Sequence, residues 1–185
     1  MTLAGPILGA WRAEPVPMPP GLVPRVDQEC RSNLGPDFPA AAAISVIDAR
    51  GGGVLQAYFA SANGAWASCT DMVVDQHGWV SAERGHAVSA HQMDVLGPHD
   101  LEFTDFNWCC DAVITSSHLV GRAGAGITRV EIQSPGQPAI VASIANAWWA
   151  VWTPGPMPAR WRIVAFDAAG REVDTVEGVP QDSPG

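Results

Sequence analysis

The sequence contains no lysine, so every basic side chain is an arginine. Charged residues make up only 16% of the chain, and acidic residues outnumber basic residues by 19 to 10. The resulting net charge of -9 disfavours binding to nucleic acid or to an anionic membrane surface, because both partners are negatively charged themselves. No basic stripe or RNA-binding motif offsets this charge. We therefore expect no nucleic-acid partner.

Long apolar runs are also missing. No stretch approaches the ~20 apolar residues that a membrane-spanning helix needs, although hydrophobic residues make up 47% of the 185 residues. The first residues, MTLAGPILGAW, include a short apolar run with neither a basic region before it nor a small-residue cleavage site after it. The sequence therefore predicts a folded core, with no membrane span and no visible signal peptide.

Motifs that identify a reaction are absent as well. There is no H-E-x-x-H and no C-x-x-C, and the glycine-rich stretches lack the lysine or helix of a phosphate-binding loop. Ser116 and Ser117 precede His118. Because adjacent residues of a strand point to opposite faces, this tripeptide does not predict a catalytic triad.

What the chain does contain is a regular succession of short elements. Residues 1–20 end in a proline-rich stretch and are expected to form a leader or linker. A helix is predicted over residues 24–34, because Pro24 suits its first turn and because Val26 and Cys30 share one face at a spacing of four.

From residue 43 onward the patterns are those of strands. Short alternating or apolar segments, separated by turn residues, are typical of strands joined by hairpins. They cover residues 43–48, 54–60, 64–71, 127–133, 139–145, 147–153, 161–167 and 171–177. This spacing predicts a mainly β fold, with antiparallel sandwich or barrel-like sheets and one short N-terminal helix.

The same patterns suggest a division of the chain. A helix plus β-meander region is expected at residues 21–118, and a C-terminal β-hairpin module at residues 119–179. Residues 180–185, rich in proline and polar residues, are expected to form a disordered tail.

Tryptophans are concentrated near the C-terminus, at Trp148, Trp149, Trp152 and Trp161. In a strand, Trp148 and Trp152 share one face and Trp149 lies on the other, so the run cannot form one continuous platform. If one of these faces is exposed, its tryptophan rings would stack on a sugar, a peptidoglycan fragment or a partner peptide. Burial of both faces is the favoured interpretation, with these four residues kept as candidate binding residues.

A metal site is the main alternative. Zinc accepts imidazole ligands, and a catalytic zinc site needs three protein ligands and an open position. The candidate ligands are His86, His91, His99 and His118. Their spacing matches no standard zinc motif, so we favour exposed loop histidines and no cofactor over a zinc-dependent hydrolase.

Turn motifs recur between Val120 and Val173. They comprise GRAGAGITRVEI, the sequence A-N-x-aromatic at 145–148, A-x-W-x-P-G at 150–155 and VAFDAAGR at 164–171. This pattern resembles a C-terminal β module of uncharacterised exported or membrane-tethered proteins of actinobacteria. Ala147 departs from the glycine expected there, which leaves the turn type open. The resemblance implies a location outside the cytoplasm.

Those proteins often carry a helix cysteine and a strand cysteine, as Cys30 and Cys69 are here. Four cysteines allow three full pairings, and spacing together with the resemblance favours a Cys30–Cys69 disulfide in an oxidising compartment. For the adjacent Cys109 and Cys110, structural sulfur is favoured over a vicinal disulfide, and their pairing stays open.

Three functional hypotheses follow. The leading one is a non-enzymatic extracytoplasmic domain that binds or senses a ligand, or serves a structural role, at the cell envelope. The second is a zinc-dependent hydrolase that uses the central histidines. The third is a structural subunit that docks on a protein partner through its tryptophan-rich face.

Overall fold

The computed structural model describes residues 9–35, 38, 41–62, 64–74, 77, 80–81, 84–88, 93–110 and 115–178. Within these residues the chain forms one helix and three antiparallel sheets. The predicted mainly β fold with one short N-terminal helix is thereby confirmed. The chain divides into two compact units, unit 1 (Met1–Val95) and unit 2 (Leu96–Gly185).

Unit 1 contains the helix and one sheet, sheet A. The helix α1 spans Val23–Leu34. Sheet A has the strand order β1-β2-β3-β4, and β5 pairs with β3 as well. Its strands are β1 (Ala43–Ala49), β2 (Val54–Ala60), β3 (Trp66–Val74), β4 (Val80–Ser81) and β5 (Arg84–Val88).

A disulfide joins α1 to sheet A. Cys30 on the helix is bonded to Cys69 on β3, with their Cα atoms 5.8 Å apart. Both cysteines are fully buried, in one core cluster with Val26 and Leu55. The predicted pairing is therefore confirmed, and the bond fixes the apolar face of the helix on the sheet.

Residues 9–18, the N-terminal arm, lie on unit 1 rather than leading away from it. The backbone N–H of Val16 donates to the carbonyl oxygen of Ala49 at 2.7 Å, and Val16 belongs to the buried core. The buried Arg50 donates from Nη1 to the carbonyl oxygen of Ala13 and from Nε to Asp48, both at 2.7 Å. Part of the expected linker is thus tied to β1 by backbone hydrogen bonds.

Unit 2 consists of two four-stranded sheets. Sheet B has the order β10-β11-β7-β6, and sheet C has the order β13-β12-β8-β9. The strands are β6 (Leu101–Cys110), β7 (Thr115–Ala123), β8 (Ile127–Gln133), β9 (Ile140–Val141), β10 (Ser143–Ala145), β11 (Trp148–Pro154), β12 (Arg162–Asp167) and β13 (Glu172–Glu177).

Sheets B and C share one hydrophobic core. It contains Leu119 and Trp149 from sheet B together with Val130, Ile132 and Ile163 from sheet C. Alternate residues of β8, β11 and β12 face this core, as expected of packed antiparallel sheets. Unit 2 is thus a small sandwich of two sheets.

The division between the units differs from the one expected from sequence. It falls between Val95 and Leu96, whereas a boundary after residue 118 would cut through β7. That strand is held on both sides, because it pairs with β6 and with β11. The expected tail, residues 180–185, lies outside the described residues.

Candidate functional site

The four candidate tryptophans are all buried. Trp149 is fully buried, and Trp148, Trp152 and Trp161 are 5 to 6% exposed. Trp149 lies in the core of unit 2, where its ring stacks on Phe103 with 6.4 Å between centroids, and its Nε1 donates to the carbonyl oxygen of Glu102 at 3.2 Å. Gly121 leaves room for the ring, because a Cβ there would lie 2.6 Å from it.

Strand alternation places Trp148 and Trp152 on the other face of β11. This strand is central in sheet B, between β10 and β7, and neither ring belongs to the core cluster that contains Trp149. Both are nevertheless buried. The three tryptophans of β11 therefore present no open stacking face, and their role in binding remains a prediction.

Trp161 has a different setting, because it immediately precedes β12 and lines a groove. The groove has a volume of about 440 Å³ and lies where β8 ends, β12 begins and β13 ends. Its lining residues are Gln133, Ser134, Pro135, Ala159, Arg160, Trp161, Arg162, Glu177 and Gly178. We call this cavity the end groove.

Strand register explains why these residues meet. Arg162 pairs with Gln133 of β8 on one side and with Glu177 of β13 on the other. The three side chains thus form one row across the end of sheet C. Because the three strands are hydrogen bonded along their length, the row is set by rigid elements rather than by loops.

Trp161 forms a wall of the end groove and is not an open platform. Gly178 lies directly on its indole ring, since any Cβ at Gly178 would overlap the ring. The backbone N–H of Gly178 donates to the carbonyl oxygen of Trp161 at 2.8 Å, and the edge of Phe103 approaches with 6.1 Å between centroids. The indole is therefore fixed between backbone and core, and only a small part of it reaches the groove.

The two arginines of the end groove are held differently. Arg162 donates from Nη2 and Nε to Oε1 of Gln133 at 2.9 and 3.2 Å, and its Nη1 lies 3.9 Å from Glu172. Arg160 is exposed and makes no hydrogen bond or ion pair with another described residue. One guanidinium is thus oriented by the sheet, and the other has its donors open to a ligand.

The turn at the other end of the β12–β13 hairpin is fixed by Asp167. Its carboxylate accepts hydrogen bonds from the backbone N–H groups of Ala169 and Arg171 at 2.9 and 3.0 Å, and from Nε of Arg171 at 2.8 Å. The backbone and side chain of Arg171 are the main reasons why the pKa of Asp167 lies below its ordinary value of 3.8. This turn helps to set the hairpin register that brings Arg162 opposite Glu177.

Ser116 and His118 form a pair that sequence reasoning missed. The Ser116 hydroxyl and Nε2 of His118 are 2.8 Å apart, because residues two apart on β7 point to the same face. The expectation considered adjacent residues only and overlooked the S-x-H spacing. However, Ser116 is 1% and His118 is 3% exposed, so the hydroxyl is closed to a substrate.

The histidines proposed as zinc ligands are only partly placed. His99 is exposed in the turn before β6, whereas His118 is buried on β7. The side chain of His86 and all of His91 lie outside the described residues. Among the side chains that are described, no group of three or more His, Cys, Asp or Glu residues is arranged to hold a metal. The zinc site stays a prediction.

Comparisons with known protein families, with curated proteins and with solved structures found no match to this chain. Among the described residues, no helix has the length and apolar character required to cross a membrane. Within the part of the chain that the structure describes, the end groove is a concave, partly polar site from which a function can be inferred.

Proposed function

We propose that the chain is a non-enzymatic binding domain that works outside the cytoplasm, at the cell envelope, and that takes its ligand in the end groove. The observation that carries this proposal is the row Gln133–Arg162–Glu177 beside Arg160, which has no ion-pair partner among the described residues. It combines a preformed cavity with a few polar groups fixed in direction. Such a combination is typical of sites that bind a ligand with specificity.

Binding is favoured over catalysis because of where the reactive groups lie. Catalysis by a hydroxyl and an imidazole requires both to reach the substrate. The Ser116–His118 pair is hydrogen bonded but closed to solvent. The groups that line the end groove are instead guanidinium, amide, hydroxyl and carboxylate groups, which recognise a ligand through hydrogen bonds.

The disulfide supports the proposed location. Disulfides persist in oxidising compartments and are rare in reducing ones, and the Cys30–Cys69 bond joins two fully buried positions of unit 1. The resemblance of residues 120–173 to modules of exported proteins points the same way.

Thiol counting tests this location. Protein isolated from its source cells and denatured without reductant is expected to keep Cys30 and Cys69 unreactive toward a thiol reagent. Four reactive thiols would contradict an oxidising location.

Ligand screening tests the binding site. A panel of small neutral, anionic and cationic compounds is followed by saturation-transfer NMR on the full chain. We expect some compounds to bind, and Ala159→Trp to abolish their binding by filling the end groove. The matched control is Ala169→Trp, which puts the same ring on another exposed alanine at the far turn of the β12–β13 hairpin. Equal binding by both variants, or chemical conversion of a bound compound, would count against the proposal.

A further inference from the structure

We infer that the end groove selects small ligands that carry a carboxylate on an apolar body, with Arg160 and Arg162 binding the carboxylate. This inference rests on the proposed function, because it names the ligand class of the same site. It follows from three features of the groove, namely an unpaired cation, an oriented cation and an apolar wall.

The first feature is Arg160, which differs from most of the described arginines. In a protein with net charge -9, carboxylates are abundant, and among the described residues at least six arginine side chains form ion pairs with them. These pairs are Arg31–Asp27, Arg50–Asp48, Arg122–Glu102, Arg129–Glu131, Arg162–Glu172 and Arg171–Asp167. Arg160 makes no such contact with the described residues and lines the groove. It is therefore available to an anion supplied by a ligand.

The oriented cation, Arg162, lines the groove beside Trp161. Gln133 occupies Nε and one N–H of Nη2 on Arg162, and the side chain is 43% exposed. A guanidinium has five N–H donors in a fixed plane, so three donors are left after Gln133, and Glu172 lies 3.9 Å from Nη1, beyond hydrogen-bonding distance. The planar donors of a guanidinium match the two oxygens of a carboxylate better than the donors of a lysine ammonium group would.

A single negative charge fits this groove better than a double one. Glu177 also lines the cavity and lies opposite Arg162 in the β12–β13 ladder. Its carboxylate repels a second anionic charge, and the surplus of acidic residues adds to that repulsion. A monoanionic carboxylate is thus favoured over a phosphate group, which carries close to two charges at neutral pH.

The apolar wall accounts for the rest of the ligand. Trp161, Pro135 and Gly178 line the cavity beside the charged row, and Trp161 is held in place by the core. The volume of about 440 Å³ falls within the range of about 300–1,000 Å³ usual for small-molecule sites. A short peptide end or an acidic sugar would place its aliphatic or ring face here.

Two matched ligand pairs test the inference by isothermal titration of the full chain. The first pair is N-acetyl-dialanine and its C-terminal amide, and the second is glucuronic acid and glucose. In at least one pair, the carboxylate is expected to bind about tenfold more tightly than its neutral counterpart, because charged hydrogen bonds contribute more than neutral ones. The pair that shows the difference identifies the source of the carboxylate as peptide or sugar.

Variants assign the effect to the groove. Arg160→Gln is expected to reduce the preference for the carboxylate to about threefold or less, since one of two cations is lost. Arg12→Gln is the matched control, because Arg12 is an exposed arginine on the N-terminal arm of unit 1 and does not line the groove. It is expected to leave the preference unchanged.

The outcomes separate this inference from the proposed function. Equal binding of neutral and carboxylate members, tighter binding of inorganic phosphate than of acetate, or an unchanged preference in Arg160→Gln would overturn the carboxylate inference alone. If no compound of any charge, in this set or in the screening panel, binds in a manner sensitive to Ala159→Trp, the proposed binding site is overturned as well.

Discussion

Units 1 and 2 are both small and β-rich, but different interactions hold them together. Unit 1 relies on long-range ties, which are the Cys30–Cys69 disulfide, the buried Arg50–Asp48 pair and the hydrogen-bonded N-terminal arm. Unit 2 relies on two sheets packed around Trp149, Trp161 and Phe103. No disulfide joins the side chains of unit 2 that the structure describes.

This difference shows two ways in which a small domain can gain enough stability to stay folded. A domain of this size buries a limited area and gains little stability to spare. A covalent bond reduces the entropy of the unfolded chain, whereas large aromatic side chains increase the apolar area that folding buries. Because unit 2 is stabilised from within its core, the strand ends of sheet C remain free to form the end groove.

Removing the disulfide is the change with the largest expected effect. In the double variant Cys30→Ser/Cys69→Ser, unit 1 should lose about 4 kcal/mol of stability, as expected for a bond that closes a loop of this length in the chain-entropy model. The sequence separation is 39 residues. Hydrogen exchange followed by NMR should show faster exchange in β1 to β3 and unchanged exchange in β8 and β12. Equal acceleration in both units would contradict the separation of their stabilities.

Gly121→Ala should have the converse effect and destabilise unit 2 alone. The new Cβ would lie 2.6 Å from the ring of Trp149 and would overlap the carbonyl oxygen of Glu102. Overpacking of this kind costs about 1–3 kcal/mol. The denaturant midpoint of the tryptophan fluorescence transition should fall, while exchange in β2 stays as in the parent chain. An unchanged midpoint would show that Trp149 is not held as tightly as described.

Ala147→Gly should stabilise unit 2 by about 1 kcal/mol, since it relieves a left-handed backbone conformation at a residue with a Cβ. Asn146 and Ala147 have φ values of 51° and 63°, and two consecutive positive φ values are those of a type I′ hairpin turn. The measurement is the unfolding midpoint in urea. A decrease in stability would mean that this turn has another conformation in solution.

Asp167→Asn is the change with the smallest expected effect on stability. Because the pKa of Asp167 is lowered on folding, its ionised form stabilises the folded state at pH values above 3.8, and this contribution is lost as the pH falls through the lower folded value. The parent chain should therefore be more stable than the variant at pH 7, with a smaller difference at pH 3. Urea unfolding at both pH values measures this. A stability difference between parent and variant that is larger at pH 3 than at pH 7 would contradict stabilisation by the ionised form of Asp167.

Much of the fold could be predicted because its signals are local. Pro24 and the spacing of Val26 and Cys30 predict α1, and alternation in residues 127–133 predicts β8. Asn146 signalled a hairpin turn, although Ala147 left its type open. The disulfide was predicted by spacing together with a resemblance.

The end groove could not be predicted, because its residues come from three separate segments. Ser134, Arg160 and Gly178 meet only once the register of β8, β12 and β13 is known. The run of tryptophans in the sequence indicated β11 as the candidate site instead. However, β11 is a central strand, and both of its faces are buried. In addition, the proline-rich composition of the first residues indicated a spacer and gave no sign that Val16 pairs with Ala49.

The central claim is that unit 2 binds a ligand in the end groove. An amide-resolved NMR titration of the full chain with N-acetyl-dialanine and glucuronic acid tests it most directly. We expect the amide signals of Ser134, Arg160 and Gly178 to shift together and to saturate with one dissociation constant. Ala159→Trp should abolish these shifts, while Ala169→Trp should preserve them. Shifts centred on another part of the chain, or the same response in both variants, would contradict it.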